Sequence, residues 1–167
     1  MEVTAAIDIG TNSTRLLVVK KTGAGWEVLT RKLAGTRLGE GIRGGVLLRS
    51  AMERTAEAVG RFYREALSLG AQRVVAGATS AVRDASNQGE FLSLVKLGTG
   101  LPVRVLSGEE EARLTYRGVV SGLPIEPDQT VVVDIGGGST ELIWSQAGRL
   151  HLASVKAGAV RMYGSDG

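Results

Sequence analysis

The chain has 167 residues, 43% apolar and 22% charged, which is the composition of a soluble globular protein long enough for one domain or one domain and part of another. It has no cysteine and one histidine, His151, so disulfides, thiolate metal sites, cysteine nucleophiles and multi-His metal cages are excluded. The net charge of +3 comes from scattered basic residues rather than a cluster with aromatics, which suits a small polyanion and gives no expectation of a specific nucleic-acid partner.

In chain order, apolar runs predict strands over residues 3–9, 14–21 and 26–34. The Gly-rich stretch 35–45 reads as a loop. Met52, Ala56, Val59, Phe62, Tyr63, Ala66 and Leu67 recur at helical spacing and predict a helix over 48–69, ended by Gly70. A strand over 73–78 leads through Thr79 and Ser80 into a helix over 81–97, interrupted or capped near Ser86 and Asn87. A short strand at 103–106 follows, and Ser107 can cap a helix over 109–121 with acids in its first turn. Pro124 and Pro127 bracket a connection to a hairpin and a last strand at 150–156. The order is that of an α/β fold led by three antiparallel strands. The expected division is a first lobe at 1–125 and the start of a second at 128–167, incomplete, without a helix of its own and with its hairpin uncovered. No basic leader with an apolar stretch opens the chain, and no segment approaches the roughly 20 apolar residues of a spanning helix. A cytoplasmic protein with no membrane partner is expected.

One turn occurs twice. Asp8-Ile9-Gly10-Thr11-Asn12-Ser13-Thr14-Arg15-Leu16 and Asp134-Ile135-Gly136-Gly137-Gly138-Ser139-Thr140-Glu141-Leu142 match at Asp, Ile, Gly, Ser, Thr and Leu in one register. Each lies between two apolar runs, as in strand, tight polar turn, strand. Glycine lets backbone N–H groups approach an anion, so Gly10, Thr11, Asn12 and Ser13, with Gly136, Gly137, Gly138 and Ser139, are candidate phosphate-binding residues. They are not P-loops, because no Gly-Lys-Ser/Thr is present. Asp8 and Asp134 end apolar strands, where Asp is disfavoured. They can bond their own turn amides or hold Mg²⁺, which prefers carboxylate oxygen. At the eighth position the copies differ in sign: Arg15 can clamp phosphate with its fork, Glu141 can add to a metal site, and both are expected on the same side of their hairpins.

Three acids open the helix after Ser107 and Gly108. First-turn acids suit the helix dipole, and Glu109 can pair with Arg113 at i,i+4. Glu111 meets Leu114 and Thr115 at those spacings, so pairing explains it least, and it is the candidate general base for activating water. Thr79, Ser80 and Arg83 form a turn that can either touch phosphates at a helix start or simply cap that helix.

Assembled, these blocks resemble the exopolyphosphatase/guanosine pentaphosphate phosphohydrolase family. The matches are Ala6 to Ser13, Ala78 to Asn87, Leu106 to Leu114, Val133 to Leu142, and Gly158-Ala159-Val160-Arg161-Met162, in family order. The Asp-Ile-Gly turns alone are shared with sugar kinases, actin and Hsp70 chaperones. The resemblance implies a ribonuclease H-like (actin-like ATPase) lobe with a mixed five-stranded sheet and flanking helices, followed by the first strands of a second lobe, with a cleft between lobes. It implies Mg²⁺-dependent release of terminal phosphate from inorganic polyphosphate or guanosine pentaphosphate, and a possible homodimer. By motif position Glu111 matches the catalytic base, Asp134 and Glu141 the metal and phosphate-loop acids, and Arg15 and Arg83 the phosphate-contacting arginines. The rival readings are a kinase or ATPase of the same fold and a non-catalytic polyphosphate or alarmone binder.

Overall fold

A computed structural model describes residues 2–42 and 44–159. The chain folds as two compact units, Met1–Val105 and Leu106–Gly167.

The first unit is built on a five-stranded sheet in the order β3-β2-β1-β4-β5. Its strands are β1 (Val3–Ile9), β2 (Thr14–Thr22), β3 (Gly25–Ala34), β4 (Arg73–Ala78) and β5 (Val103–Val105). β1, β2 and β3 pair antiparallel, while β4 runs parallel to β1 and β5 parallel to β4. The expected mixed five-stranded α/β sheet is therefore present. Alternation sends Ala5, Ile7, Ile9, Leu16 and Val18 to one buried face, where α1 (Arg49–Ser68) buries Ala51, Met52, Val59, Phe62 and Ala66. The other face is open: Trp26, Leu33 and Val75 are exposed there.

α1 ends as its sequence predicts. Gly70 adopts φ +82, the Gly70 N–H donates to the Leu67 carbonyl and the Ala71 N–H to the Ala66 carbonyl, which is a Schellman closure. The helix expected over 81–97 is divided into α2 (Ser80–Arg83) and α3 (Gln88–Thr99). The break has a use. Asn87 Oδ1 accepts from the Leu47 N–H at 2.9 Å, its Nδ2 donates to the Leu47 carbonyl at 3.0 Å, and the Ser86 N–H donates to the Gly45 carbonyl at 2.8 Å. The interruption thus clamps the end of the Gly-rich loop.

The second unit holds α4 (Gly108–Gly122) and an antiparallel sheet of β6 (Val131–Ile135), β7 (Thr140–Gln146) and β8 (Arg149–Val155). One expectation is corrected. The second strand set does have a helix, because Ala112 and Tyr116 of α4 form one apolar stripe on Val132 and Ile143, which are register partners. The compact units divide ahead of α4. Chain continuity assigns this helix to the strand before it, but its burial partners come after it. The opposite sheet face carries Val131, Val133 and Ile135, which are exposed.

The α4 cap is a capping box: the Glu110 N–H donates to Ser107 Oγ at 3.1 Å and the Ser107 N–H to Glu110 Oε2 at 2.9 Å. Ser107→Ala removes an acceptor for a helix-end donor and should lower stability by about 1 kcal/mol in urea unfolding. An unchanged midpoint would show that the box contributes nothing. Among the described residues no helix is long and apolar enough to cross a membrane.

Candidate functional site

Both repeated turns close in the same way. The Gly10 N–H donates to the Ser13 carbonyl at 3.0 Å, and the Gly136 N–H to the Ser139 carbonyl at 2.9 Å. A Cβ on either glycine would sit 3.0 or 3.2 Å from that same carbonyl, which explains the residue at this position. The leading glycine amide is thus used inside the turn and does not face an anion. The next three amides differ: among the described residues those of Thr11, Asn12 and Ser13, and of Gly137, Gly138 and Ser139, have no acceptor. Ser139 is buried, as is Gly138. Successive backbone donors left without a partner in a turn are able to accept an anion.

Neighbouring backbone holds each turn rigid. At the first turn the Arg37 N–H donates to the Asn12 carbonyl and the Gly39 N–H to the Thr11 carbonyl, at 2.9 and 2.8 Å. Thr11 Oγ1 lies 2.8 Å from Ser80 Oγ, and the Thr79 N–H donates to the Ile9 carbonyl at 3.2 Å. The hydroxyls of Thr11, Thr79 and Ser80 are buried in this stitching. Thr79 and Ser80 therefore serve the fold; Thr79 makes no side-chain cap, and α2 has only four residues. Arg83, on α2, lies 3.9 Å from Asp84. At the second turn the Ala159 N–H donates to the Gly136 carbonyl at 3.0 Å and Thr140 Oγ1 to the Ala157 carbonyl at 2.6 Å.

The eighth positions occupy the same register and different surroundings. Asp8 pairs with Arg15 across β1 and β2, and Asp134 with Glu141 across β6 and β7. In the first unit this is the open face: Arg15 Nη1 lies 3.5 Å from Asp8 Oδ2, a long contact between exposed groups. In the second unit it is the face under α4, and Glu141 is 3% exposed. Ser154 Oγ donates to Glu141 Oε1 at 3.2 Å, and Thr115 Oγ1 donates to Asp134 Oδ2 at 3.1 Å.

The three acids of α4 separate by role. Glu110 closes the capping box and Glu109 receives Arg113 at 2.7 Å. Glu111 takes part in neither. It lies one helical turn before Thr115, on the same stripe, and Thr115 holds Asp134. The second unit thus brings Glu111, Asp134, Glu141 and the 136–139 turn to one side of its sheet. Thr115 and Ser154 were missed by sequence reasoning. Thr115 was legible only as the residue that fails to neutralise Glu111.

No three or more His, Cys, Asp or Glu among the described residues are grouped so as to cage a metal. The Asp134 and Glu141 pair nonetheless fits Mg²⁺, which is held by one or two carboxylates with phosphate and water completing its octahedron. A carboxylate as buried as Glu141 is costly without positive charge nearby, which favours that fit. Asp8 sits opposite Arg15 on the first unit's sheet, its side chain about half exposed. Val160, Arg161 and Met162, in the last matching block, lie outside the described residues.

The model of the Ppx/GppA phosphatase family matches residues 17–165. An exopolyphosphatase from Cytophaga hutchinsonii is 30% identical over 98% of this chain and 53% of its own, with a TM-score of 0.92. The Ppx/GppA phosphatase from Aquifex aeolicus, in the crystal structure of its type II variant, is 30% identical over 99% of this chain and 55% of its own, with a TM-score of 0.81. The ethanolamine utilization protein EutJ from Carboxydothermus hydrogenoformans, at 20% identity and a TM-score of 0.56, shares the fold alone, over 95% of this chain and 53% of its own. The chain spans about half the length of these solved relatives. With its mixed sheet, second small sheet and paired Asp-Ile-Gly turns, it has the actin-like ATPase fold and belongs to the Ppx/GppA phosphatase family.

Proposed function

We propose that the protein works as a phosphohydrolase that releases terminal phosphate from inorganic polyphosphate, guanosine pentaphosphate or both. The observation that carries this reading is the Thr115–Asp134 hydrogen bond, one helical turn from Glu111. By helical spacing Glu111 shares the stripe of α4 that carries Thr115, while Glu109 pairs with Arg113 and Glu110 closes the cap.

In the proposed reaction a water oxygen forms a bond to the terminal phosphorus and the bridging P–O bond breaks. The water proton passes to the Glu111 carboxylate, and the shortened chain leaves with the bridging oxygen and its electron pair. The amides of Gly137, Gly138 and Ser139 donate to oxygens that gain charge in the transition state. Within the first unit by itself, the amides of Thr11, Asn12 and Ser13, with Arg15 and Arg83, are the groups suited to hold phosphate oxygens. Asp134 and Glu141 would hold Mg²⁺, which when bound supplies charge neutralisation for the transferring phosphoryl group. Thr115 and Ser154 fix the orientation of those two carboxylates.

The test compares phosphate release from long-chain polyphosphate, guanosine pentaphosphate and ATP in the presence of Mg²⁺. Release from either of the first two, with ATP untouched, is expected. Preference for ATP would replace this reading with a kinase or ATPase, and binding of polyphosphate without turnover would replace it with a non-catalytic binder.

A further inference from the structure

The loop between β3 and α1 places a strained arginine against the 10–13 turn. Arg37 has φ +48, in the left-handed region that side chains disfavour. The other described non-glycine residue with positive φ, Ala147, sits in the two-residue turn between β7 and β8, where such a conformation is required. No hairpin geometry imposes the conformation on Arg37, and this loop uses glycine freely, at 35, 39, 41, 44 and 45.

The surroundings hold the strained backbone in place. Its N–H donates to the Asn12 carbonyl at 2.9 Å. Arg54, from α1, donates through Nε to the Thr36 carbonyl at 2.7 Å and through Nη2 to the Arg37 carbonyl at 3.3 Å and to Glu40 Oε2 at 2.8 Å. Thr36 Oγ1 lies 3.0 Å from Thr14 Oγ1 in a buried pair. Strain maintained by so many contacts marks functional positions more often than structural ones. The Arg37 side chain, meanwhile, is exposed and among the described residues joins no ion pair. The fold fixes where its backbone lies and makes no use of its guanidinium.

We propose that Arg37 is a phosphate-contacting residue of the 10–13 turn, its guanidinium fork set against the oxygens of a phosphate chain bound at the amides of Thr11, Asn12 and Ser13. The planar fork matches phosphate geometry in a way a lysine ammonium does not. This inference rests on the phosphate-binding reading of that turn.

The test is calorimetric titration of inorganic tripolyphosphate into the wild-type protein and into Arg37→Asn, Arg37→Gly and Arg37→Lys, with urea unfolding of each. Asn tolerates the left-handed region and Gly relieves the strain, so neither should lower the unfolding midpoint. Both should bind tripolyphosphate about tenfold more weakly, the loss expected for one charge-assisted contact. Arg37→Lys should recover part of the affinity. Wild-type affinity in the Asn and Gly variants would overturn the role of Arg37 and leave the turn's phosphate-binding reading intact. A lowered midpoint in Arg37→Gly alongside weaker binding would make the residue structural and overturn the proposal. No binding by any form, wild type included, would overturn the proposal and the proposed function together.

Discussion

Glu111→Gln should reduce the rate of phosphate release by a factor of about 10² to 10⁴, the range for loss of a general base. Glutamine keeps the length and hydrogen-bonding shape of the side chain and cannot accept the water proton. Urea unfolding reads the stability of the variant alongside; the helix-dipole share of a first-turn acid is about 0.3 to 1 kcal/mol. Glu109→Gln is the matched control. It removes a negative charge two residues away and breaks an exposed i,i+4 pair, an interaction of about 0.3 to 0.5 kcal/mol, yet should leave turnover unchanged. Phosphate release that survives Glu111→Gln would remove the base assignment. Equal losses in both variants would show that only the local charge matters. The KM for tripolyphosphate should change little in Glu111→Gln, because the base acts on water and not on the phosphate chain.

Much of the fold was legible because its local signals agree. The alternation of Ala5, Ile7 and Ile9, the helical spacing of Met52, Val59, Phe62 and Ala66, and the stop at Gly70 each have a local cause, and each is found in place. The repeated turns were legible through identity at fixed register. The partners of α4 were not. Its apolar stripe is short, Ala112 and Tyr116, and nothing local says which sheet will bury it. The use of hydroxyl groups was equally hidden. Thr11, Ser80 and Thr115 look alike in sequence, but the first two are stitched to each other and the third holds an acid, and only tertiary structure separates those fates. The 35–45 loop was read as a connection because glycines dominate it. Its role as a wall of the first turn depends on two backbone hydrogen bonds that no side-chain pattern reports.

The repeat also runs deeper than the turns. In each unit a strand triplet ends, and the chain comes back to press a glycine on the turn between its first two strands. In the first unit a Cβ on Gly39 would collide with the Thr11 methyl group. In the second, a Cβ on Gly158 would sit 2.5 Å from Gly137 C and Gly138 N. The threonines that follow the two turns, Thr14 and Thr140, each bond the returning segment, at Thr36 and Ala157. The two turns are therefore preorganised by equivalent supports, although one is bordered by an exposed Arg15 and the other by a buried Glu141. A donor array held rigid before substrate arrives is what makes turn amides effective against developing charge.

Gly158→Ala should show how much that rigidity matters. The added Cβ meets backbone atoms, which unlike the end of a long side chain cannot swing away. Either the 136–139 turn or the returning segment must shift, and overpacking of this kind typically costs about 1 to 3 kcal/mol. The Ala159 N–H bond to Gly136 and the Thr140 bond to Ala157 flank the clash and would stretch with it. Urea unfolding should report the lost stability. Tripolyphosphate affinity should fall as well, since displacing donors by a few tenths of an ångström misaligns the amides of Gly137, Gly138 and Ser139 together. Gly98→Ala provides the contrast: its Cβ would enter open space on α3, and alanine favours a helix interior over glycine by roughly 1 kcal/mol. If Gly158→Ala unfolds at the wild-type midpoint and binds tripolyphosphate normally, the returning segment does not set the shape of the turn. If stability falls and binding in the folded protein does not, the support is structural and the turn's amides are not the anion's ligands.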